Sequence, residues 1–343
     1  MVGNGPSTVG TSALNVASIA DRIISGEAGL EEVVSFLRDF QERGFNEEDL
    51  LALTSSFRRQ TIPVETVHPL VADLCGTGGG ALRTFNISTV SSFVVAGAGV
   101  PVAKHGNRSN AGACGSADVM EALGANIMLR PSEAGKILDQ VGISFFFAPI
   151  FNPAMKNASM ARKLVGGRTI FNALGPLLNP ANARRRQLIG VYDVGLLDLI
   201  PQISEKIGIE RTLLVHGQPD IDEVSILGPT EATLACDGTS ERFVIDPADH
   251  GLRLARPKEI SDRSPERSAL LAREILAGIE SAARDVVVLN AACALWVFGC
   301  VNSIGHGIAL AERTIDSGAA EQKLFGFVAA THEIVARRQK DNG

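Results

Sequence analysis

Three short stretches hold the residues of this chain best suited to chemistry. The first, DLCGTGGGALRTFNIST (73–89), runs from an apolar segment into Gly76, Thr77, Gly78, Gly79 and Gly80, then into what reads as a helix start. Glycines after a strand let backbone approach a ligand closely, and successive peptide N–H groups form a concavity for anions. Asn86, Ser88 and Thr89 then fall where a helix N-terminus adds its positive dipole end. Taken alone, such a cluster is equally a tight strand-to-helix turn, and it matches neither GxGxxG nor a P-loop.

The second stretch, VAKHGNRSNAGACGSAD (102–118), sets Lys104, His105, Gly106, Asn107 and Arg108 side by side, with Ser116 at another expected helix start. A lysine and an arginine there suit pyrophosphate, one as a point charge and the other as a fork of donors. Asn107 both donates and accepts, which suits a reacting polar group. His105 alone is a weak candidate for a base. The third stretch, VHGQPDIDEVS (215–225), carries the adjacent carboxylates Asp222 and Glu223, with Asp220 a weaker third. Paired acids are commonly solvated surface; beside a polyphosphate they hold Mg²⁺, which binds one or two carboxylates and keeps its waters.

These stretches need elements to position them. Residues 15–60 show helical spacing punctuated by Gly26, Gly29 and Gly44, and TIPVETVHP (61–69) reads as a linker because proline blocks helix continuation. Short apolar runs (VADLCG, VPVAKHG, ISFFFAP, QLIGVYD, RTLLVHG) then alternate with helical segments at 115–124, 131–141 and 196–207, and residues 266–340 return to helix. The expected fold is α/β: a small all-helical N-terminal domain hinged to a large domain with a mostly parallel central sheet and C-terminal helices. The expected bounds are a flexible leader at 1–14, a helical domain at 15–65 joined in space by the segment near 163–182, and an α/β domain at 66–343. In an open α/β sheet, ligands lie beyond the carboxyl ends of the strands, so the three stretches should converge on one edge.

Composition narrows the partners. The 343 residues carry a net charge of -6, with 45% hydrophobic and 20% charged residues. An acidic chain argues against a nucleic-acid partner, whose footprint would raise a domain pI above about 9. No run of about 18 apolar residues suggests a membrane span, and the leader lacks the basic and apolar regions of a signal peptide. Cys75, Cys114, Cys236, Cys293 and Cys300 are odd in number and scattered, which fits reduced thiols in a cytoplasmic protein, and no CxxC suggests a zinc site.

The motifs GTGGxxxxTFNIST, VAKHGNRS, GSADVMEALG, FFFAPIFNPAMKN, GGRTIFNALGPLLNPAN, VHGQPDIDEVS, VVLNAACALW and AERTIDSGAAEQKL follow one another along residues 20 to 330. Together they resemble the anthranilate phosphoribosyltransferases of tryptophan biosynthesis. The resemblance implies a homodimer that transfers 5-phosphoribose from phosphoribosyl pyrophosphate to the amine of anthranilate with magnesium, two ions being expected. Carried over, it gives Gly76, Gly79, Thr84, Asn86, Ser88, Thr89, Lys104, Asn107 and Ser116 to the sugar donor, and Thr77, Gly78, Gly106 and Arg108 of the same motifs are expected to bind substrate with them. Ser88, Asp222 and Glu223 would hold the metal, and Gly76, His105, Asn107, Pro149, Asn152 and Arg162 would line the path of the aromatic acid. Lys104, Asn107 and Arg162 would carry the catalytic roles. No strong nucleophile is needed, because the protein mainly positions reactants and stabilises separated charge.

Departures from the family pattern are local. Gly80 stands where the family has Asp, for which a looser phosphate loop is the expectation. Asn152 stands where the family has His, which leaves another amino- or hydroxy-substituted aromatic acid open as acceptor. Ala111, Gly112 and Cys114 replace a serine-rich run. A non-catalytic, nucleic-acid-binding relative should lose the carboxylates and turn basic, and nucleoside phosphorolysis would use phosphate as co-substrate.

Overall fold

The computed structural model describes residues 13–108, 114–261 and 264–341; the leader expected at 1–14 falls almost wholly, and Ala111 and Gly112 wholly, outside them. Three helices come first: α1 (Ala13–Ser25), α2 (Leu30–Arg43) and α3 (Glu47–Arg58). The breaks follow the glycines. Gly26 and Gly44 both adopt positive φ, and Asn46 caps α3 by accepting the Asp49 N–H at 2.9 Å.

Seven strands form one sheet. They are β1 (Leu70–Gly76), β2 (Val102–Gly106), β3 (Ile143–Phe147), β4 (Arg184–Gly190), β5 (Ile209–Gly217), β6 (Thr230–Cys236) and β7 (Thr239–Ile245), in the order β3-β2-β1-β4-β5-β6-β7. The pairings from β3 across to β5 are parallel, and β5-β6 and β6-β7 are antiparallel. The sheet is therefore mostly parallel, with a hairpin added at one edge that the apolar runs did not announce.

Alternate residues along each central strand face opposite ways. Leu74, Leu188 and Leu213 point into one core with Val90, Phe93 and Val94 of α4 (Ile87–Gly97) and with Val287, Leu289 and Ala291 of the helix Ala282–Phe298. Their neighbours Cys75, Ile189 and Leu214 point into a second core with Leu37, Phe40, Leu53 and Phe57 of α2 and α3. Phe171, Leu174 and Leu177, from the segment between β3 and β4, complete that second core, and the Phe57 and Phe171 rings meet edge to face at 5.5 Å.

The expected helix at 196–207 is broken into Leu196–Leu199, Pro201–Ser204 and a 3-10 turn at Glu205–Ile207, because Pro201 supplies no N–H to continue the first piece. By contrast 131–141 is one helix as the sequence suggests, with Pro131 in its first turn and left-handed Gly142 after its end. Among the described residues no helix is long and apolar enough to cross a membrane.

Candidate active site

The chain runs from β1 toward β2 and β3 on one side, then returns to place β4 on the other side of β1. Loops leaving β1 and β4 therefore diverge, which opens the crevice where α/β folds bind ligands. Into this crevice come the glycine turn after β1, the 107–108 segment after β2, and the acid pair after β5.

The glycine turn and the acid pair are in direct contact. The Gly78 N–H donates to Asp222 Oδ2 at 2.7 Å, and the Ser88 N–H, in the first turn of α4, donates to Glu223 Oε1 at 3.1 Å. Gly78 and Gly79 adopt φ of +67° and +90°, a backbone that only glycine takes cheaply. At Gly76 a Cβ would sit 2.5 Å from Asp222 Oδ2 and would push that carboxylate off the Gly78 N–H.

Electrostatics make this pair more than solvated surface. Burial, and then the neighbouring Asp222, push the Glu223 carboxyl up to about 8, against the pull of Lys104. Burial likewise raises Asp222, while the Gly78 N–H works the other way. Two adjoining carboxylates so disposed are stabilised by a cation between them. Lys104 supplies part of this: the residue is 2% exposed, and its ammonium donates to the Leu74 carbonyl and, at 3.2 Å, to Ser88 Oγ.

The other residues expected to hold the sugar donor are less uniform. Thr89 Oγ1 is buried without a hydrogen-bond partner one residue beyond Ser88. Thr77 is anchored, its hydroxyl accepting the Tyr192 N–H at 2.9 Å. Asn86 does not cap α4 but donates to the Cys114 carbonyl at 3.1 Å. Thr84 bridges to Ser261. Exposed Asn107 leads toward Ser116, whose Oγ donates to the Asn107 carbonyl at 3.4 Å, and a Cβ on Gly106 would overlap that same Oγ. Arg108 is turned away, bound to Asp118 at 2.7 Å and Glu121 at 2.6 Å on the helix Ser116–Ala122.

Of the residues expected along the path of the aromatic acid, His105 and Asn152 are both buried and touch, Nε2 to Nδ2, at 3.2 Å. Pro149 opens the short helix Ala148–Phe151 just before Asn152. Arg162, on the helix Ser159–Val165, lies 5.7 Å from the Phe171 ring; it is half-buried, and burial holds its pKa down, with no carboxylate among the described residues near enough to oppose this.

A model of the glycosyl transferase family, a/b domain, matches residues 68–321. The anthranilate phosphoribosyltransferase of Moorella thermoacetica is 44% identical over 318 residues, 93% of this chain and 94% of that protein. The chain belongs to the anthranilate phosphoribosyltransferase family. The crystal structure of the anthranilate phosphoribosyltransferase from Thermus thermophilus superposes with a TM-score of 0.87 at 32% identity, covering 94% of this chain and 96% of that one. The Saccharomyces cerevisiae enzyme, solved in complex with PRPP and Mg, gives 0.87 at 25% identity, covering 96% and 95%.

For an anthranilate phosphoribosyltransferase, two features of this crevice went unread in the sequence. Gly80 packs against the acid loop: a Cβ there would lie 3.1 Å from the Asp220 carbonyl oxygen and 3.3 Å from Asp222 Oδ1. Nor is the turn loose, because Arg168 grips it. The guanidinium donates through Nε to the Gly79 carbonyl at 2.9 Å, reaches Asp220 Oδ2 at 3.3 Å and the Tyr192 carbonyl at 3.1 Å, and stacks 4.9 Å from the Tyr192 ring. Arg168 lies 89 residues from Gly79, and nothing in GGRTIFN points to that partner.

Proposed function

We infer that this protein transfers the 5-phosphoribosyl group of phosphoribosyl pyrophosphate to the amine of anthranilate, breaking the bond from ribose C1 to pyrophosphate and forming one from C1 to nitrogen. The contact of the glycine turn with the acid pair carries this reading, because it sets an anion-binding backbone beside carboxylates that call for a cation.

Asp222, Glu223 and Ser88 are the residues that would hold Mg²⁺. Their chemistry fits it: hard oxygen donors, raised carboxyls, and a shared hydrogen bond from the first turn of α4. Among the described residues no group of three or more acidic, His or Cys side chains could hold a metal alone, so the donor's phosphate oxygens and water would complete the shell. Bound there, the ion neutralises the charge on departing pyrophosphate. The amides of Gly78 and Gly79, the Thr89 hydroxyl and Lys104 hold the donor, with Asn107 beside the reacting carbon. Two ions, and a homodimer, belong to the same reading; titration calorimetry counts the first and sedimentation the second.

On the other wall, Arg162 takes the carboxylate of the aromatic acid, having no acidic partner of its own among the described residues. The helical unit at 15–65, with 163–182 packed on it, carries that wall toward the sheet and excludes water. Asn152 commits its amide to Thr61, His105 and Leu178. Its exchange for the family's histidine thus changes the bonding inside the wall without adding a free polar group toward the acceptor, which favours anthranilate over another acid.

Assay of the purified protein with the donor and a panel of aromatic acids tests the reading. Anthranilate is expected to be consumed with stoichiometric pyrophosphate; turnover of another acid but not of anthranilate would overturn it.

A further inference from the structure

The polar link behind the acceptor wall specifies the state of a histidine. Asn152 is 4% exposed and His105 7%. Asn152 Oδ1 accepts the Thr61 hydroxyl at 2.7 Å, and Nδ2 donates to the Leu178 carbonyl at 3.1 Å and faces His105 Nε2 at 3.2 Å. The amide can stand only this way round: turned over, Oδ1 would meet the Leu178 carbonyl oxygen, acceptor against acceptor. With both amide hydrogens pointing outward, one to Leu178 and one to His105, Nε2 must be a lone pair. The ring's proton then sits on Nδ1, consistent with a hydrogen bond to the Gly175 backbone, and burial holds the ring neutral by lowering its pKa to about 4.

We propose that Asn152 is a positioning residue: it fixes His105 as the Nδ1–H tautomer in one ring orientation, and ties that ring through Thr61 to the exit of α3. With both nitrogens engaged, His105 can offer the acceptor only its ring face and carbon edge. It therefore acts as a flat aromatic wall that selects planar rings, and it neither takes the amine's proton nor hydrogen-bonds the acid. The charged groups around the ring are Asp73, Lys104 and Arg185. Asp73 is already occupied, by the His105 backbone N–H at 3.3 Å, Asn179 at 2.7 Å and Gln187 at 3.0 Å, so it does not compete for Nε2.

The role as an acceptor wall rests on the transferase reading; the tautomer does not. In ¹⁵N-histidine-labelled protein without substrates, with His105 assigned by its loss in His105→Gln, the expected spectrum has a pyridine-type Nε2 and a pyrrole-type Nδ1. Asn152→Asp puts an acceptor where the donor was and is expected to move the proton to Nε2. Thr61→Val removes the tie to α3 while the Leu178 carbonyl still keeps the amide the same way round; the ring should keep its tautomer but lose its fixed orientation, broadening the His105 signals and raising KM for the aromatic acid several-fold at unchanged donor KM. Thr61→Ser should restore both. Should Asn152→Asp fail to fold, the nitrogen assignment in the unaltered protein decides the tautomer and the Thr61 pair decides the tie. A protonated Nε2 in the unaltered protein, or Thr61→Val matching Thr61→Ser in line width and KM, overturns the proposal. The expected spectrum in a protein that does not use anthranilate would instead reject the functional reading alone.

Discussion

Gly76 and Gly190 are register partners at the ends of β1 and β4, and a Cβ on either would run into Asp222. On Gly76 it would crowd the carboxylate; on Gly190 it would land on the Asp222 backbone carbonyl. The two bare positions together make the slot through which the acid loop reaches the glycine turn. Gly190→Ala should therefore displace the loop itself, where a side chain could not simply turn aside. A drop in turnover of about 10²-fold is expected, because small misplacements at a reacting centre are costly, with a loss of about 1–3 kcal/mol in stability from overpacking. Steady-state kinetics and urea unfolding measure both. Gly305→Ala, which meets nothing within 4 Å, is the control; wild-type turnover in Gly190→Ala would show that the slot is dispensable.

The raised carboxyl of Glu223 makes cation binding a proton-linked event. Its ordinary value is 4.5 and its folded value about 8, so between these the metal-free folded chain keeps a proton that the unfolded chain has lost. Its contribution to stability hence falls as pH rises through that window. On the proposed reading Mg²⁺ takes this carboxylate, so binding near neutrality should expel up to one proton, and affinity should tighten as pH approaches about 8. Calorimetry in buffers of different ionisation enthalpy reads that proton directly. In Asp222→Asn with Glu223→Gln the release should vanish, and turnover should fall by orders of magnitude with the fold retained. Equal heats in all buffers would remove the linkage.

Local rules made much of this fold readable. Glycine and proline punctuation delimits α1 to α3 and the helix Pro131–Val141, and apolar runs mark the parallel strands. The β6-β7 hairpin escaped because β7 is largely exposed and alternates weakly, although Asp237-Gly238 at its turn was an available signal. The site was legible wherever chemistry sits in one contiguous motif. It was illegible where the partner is remote: Arg168 on Gly79, and Asn152 between Thr61 and His105, are pairings across the chain that no spacing encodes. Arg108 sits in the same motif, and its pairing with Asp118 and Glu121 on the next helix was equally unannounced.

Arg168 replaces the expectation of a loose phosphate loop with one of a braced loop. It joins the Gly79 carbonyl to Asp220 and so ties the glycine turn to the acid loop. Arg168→Met keeps much of the packing on Tyr192 but removes the donors. KM for the sugar donor should rise about tenfold, the loss of one charge-assisted contact, while KM for the aromatic acid stays put. Separate saturation of each substrate checks this, and an effect on the acid alone would place Arg168 elsewhere in the mechanism.

Arg162 should behave in the converse way. Arg162 is half-buried on Phe171 with no acid beside it among the described residues, so an arriving carboxylate gains a charge-assisted pair at little cost to existing bonds. Arg162→Ala is expected to raise KM for the aromatic acid by about 10-fold or more with the donor KM unchanged. Kinetics with both substrates varied decides; a change confined to the donor would reverse the placement of the two walls.

Acid should expose the cost of a neutral buried histidine. His105 has an ordinary pKa of 6.5 and a folded value of about 4, lowered chiefly by burial. Above 6.5 the ring is neutral in both states and contributes no slope. As pH falls below that value the unfolded chain takes up a proton that the folded chain refuses, so stability drops until the folded ring also titrates near 4. The loss attributable to this one ring has a ceiling of about 3 kcal/mol, the shift converted at ~1.4 kcal/mol per pKa unit. His105→Gln, which cannot titrate, should lose less stability than wild type between about pH 7 and about pH 5, and the two urea midpoints should converge as pH falls. Parallel curves for the two proteins would mean that His105 charges freely in the fold, and that the amide of Asn152 does not hold its Nε2.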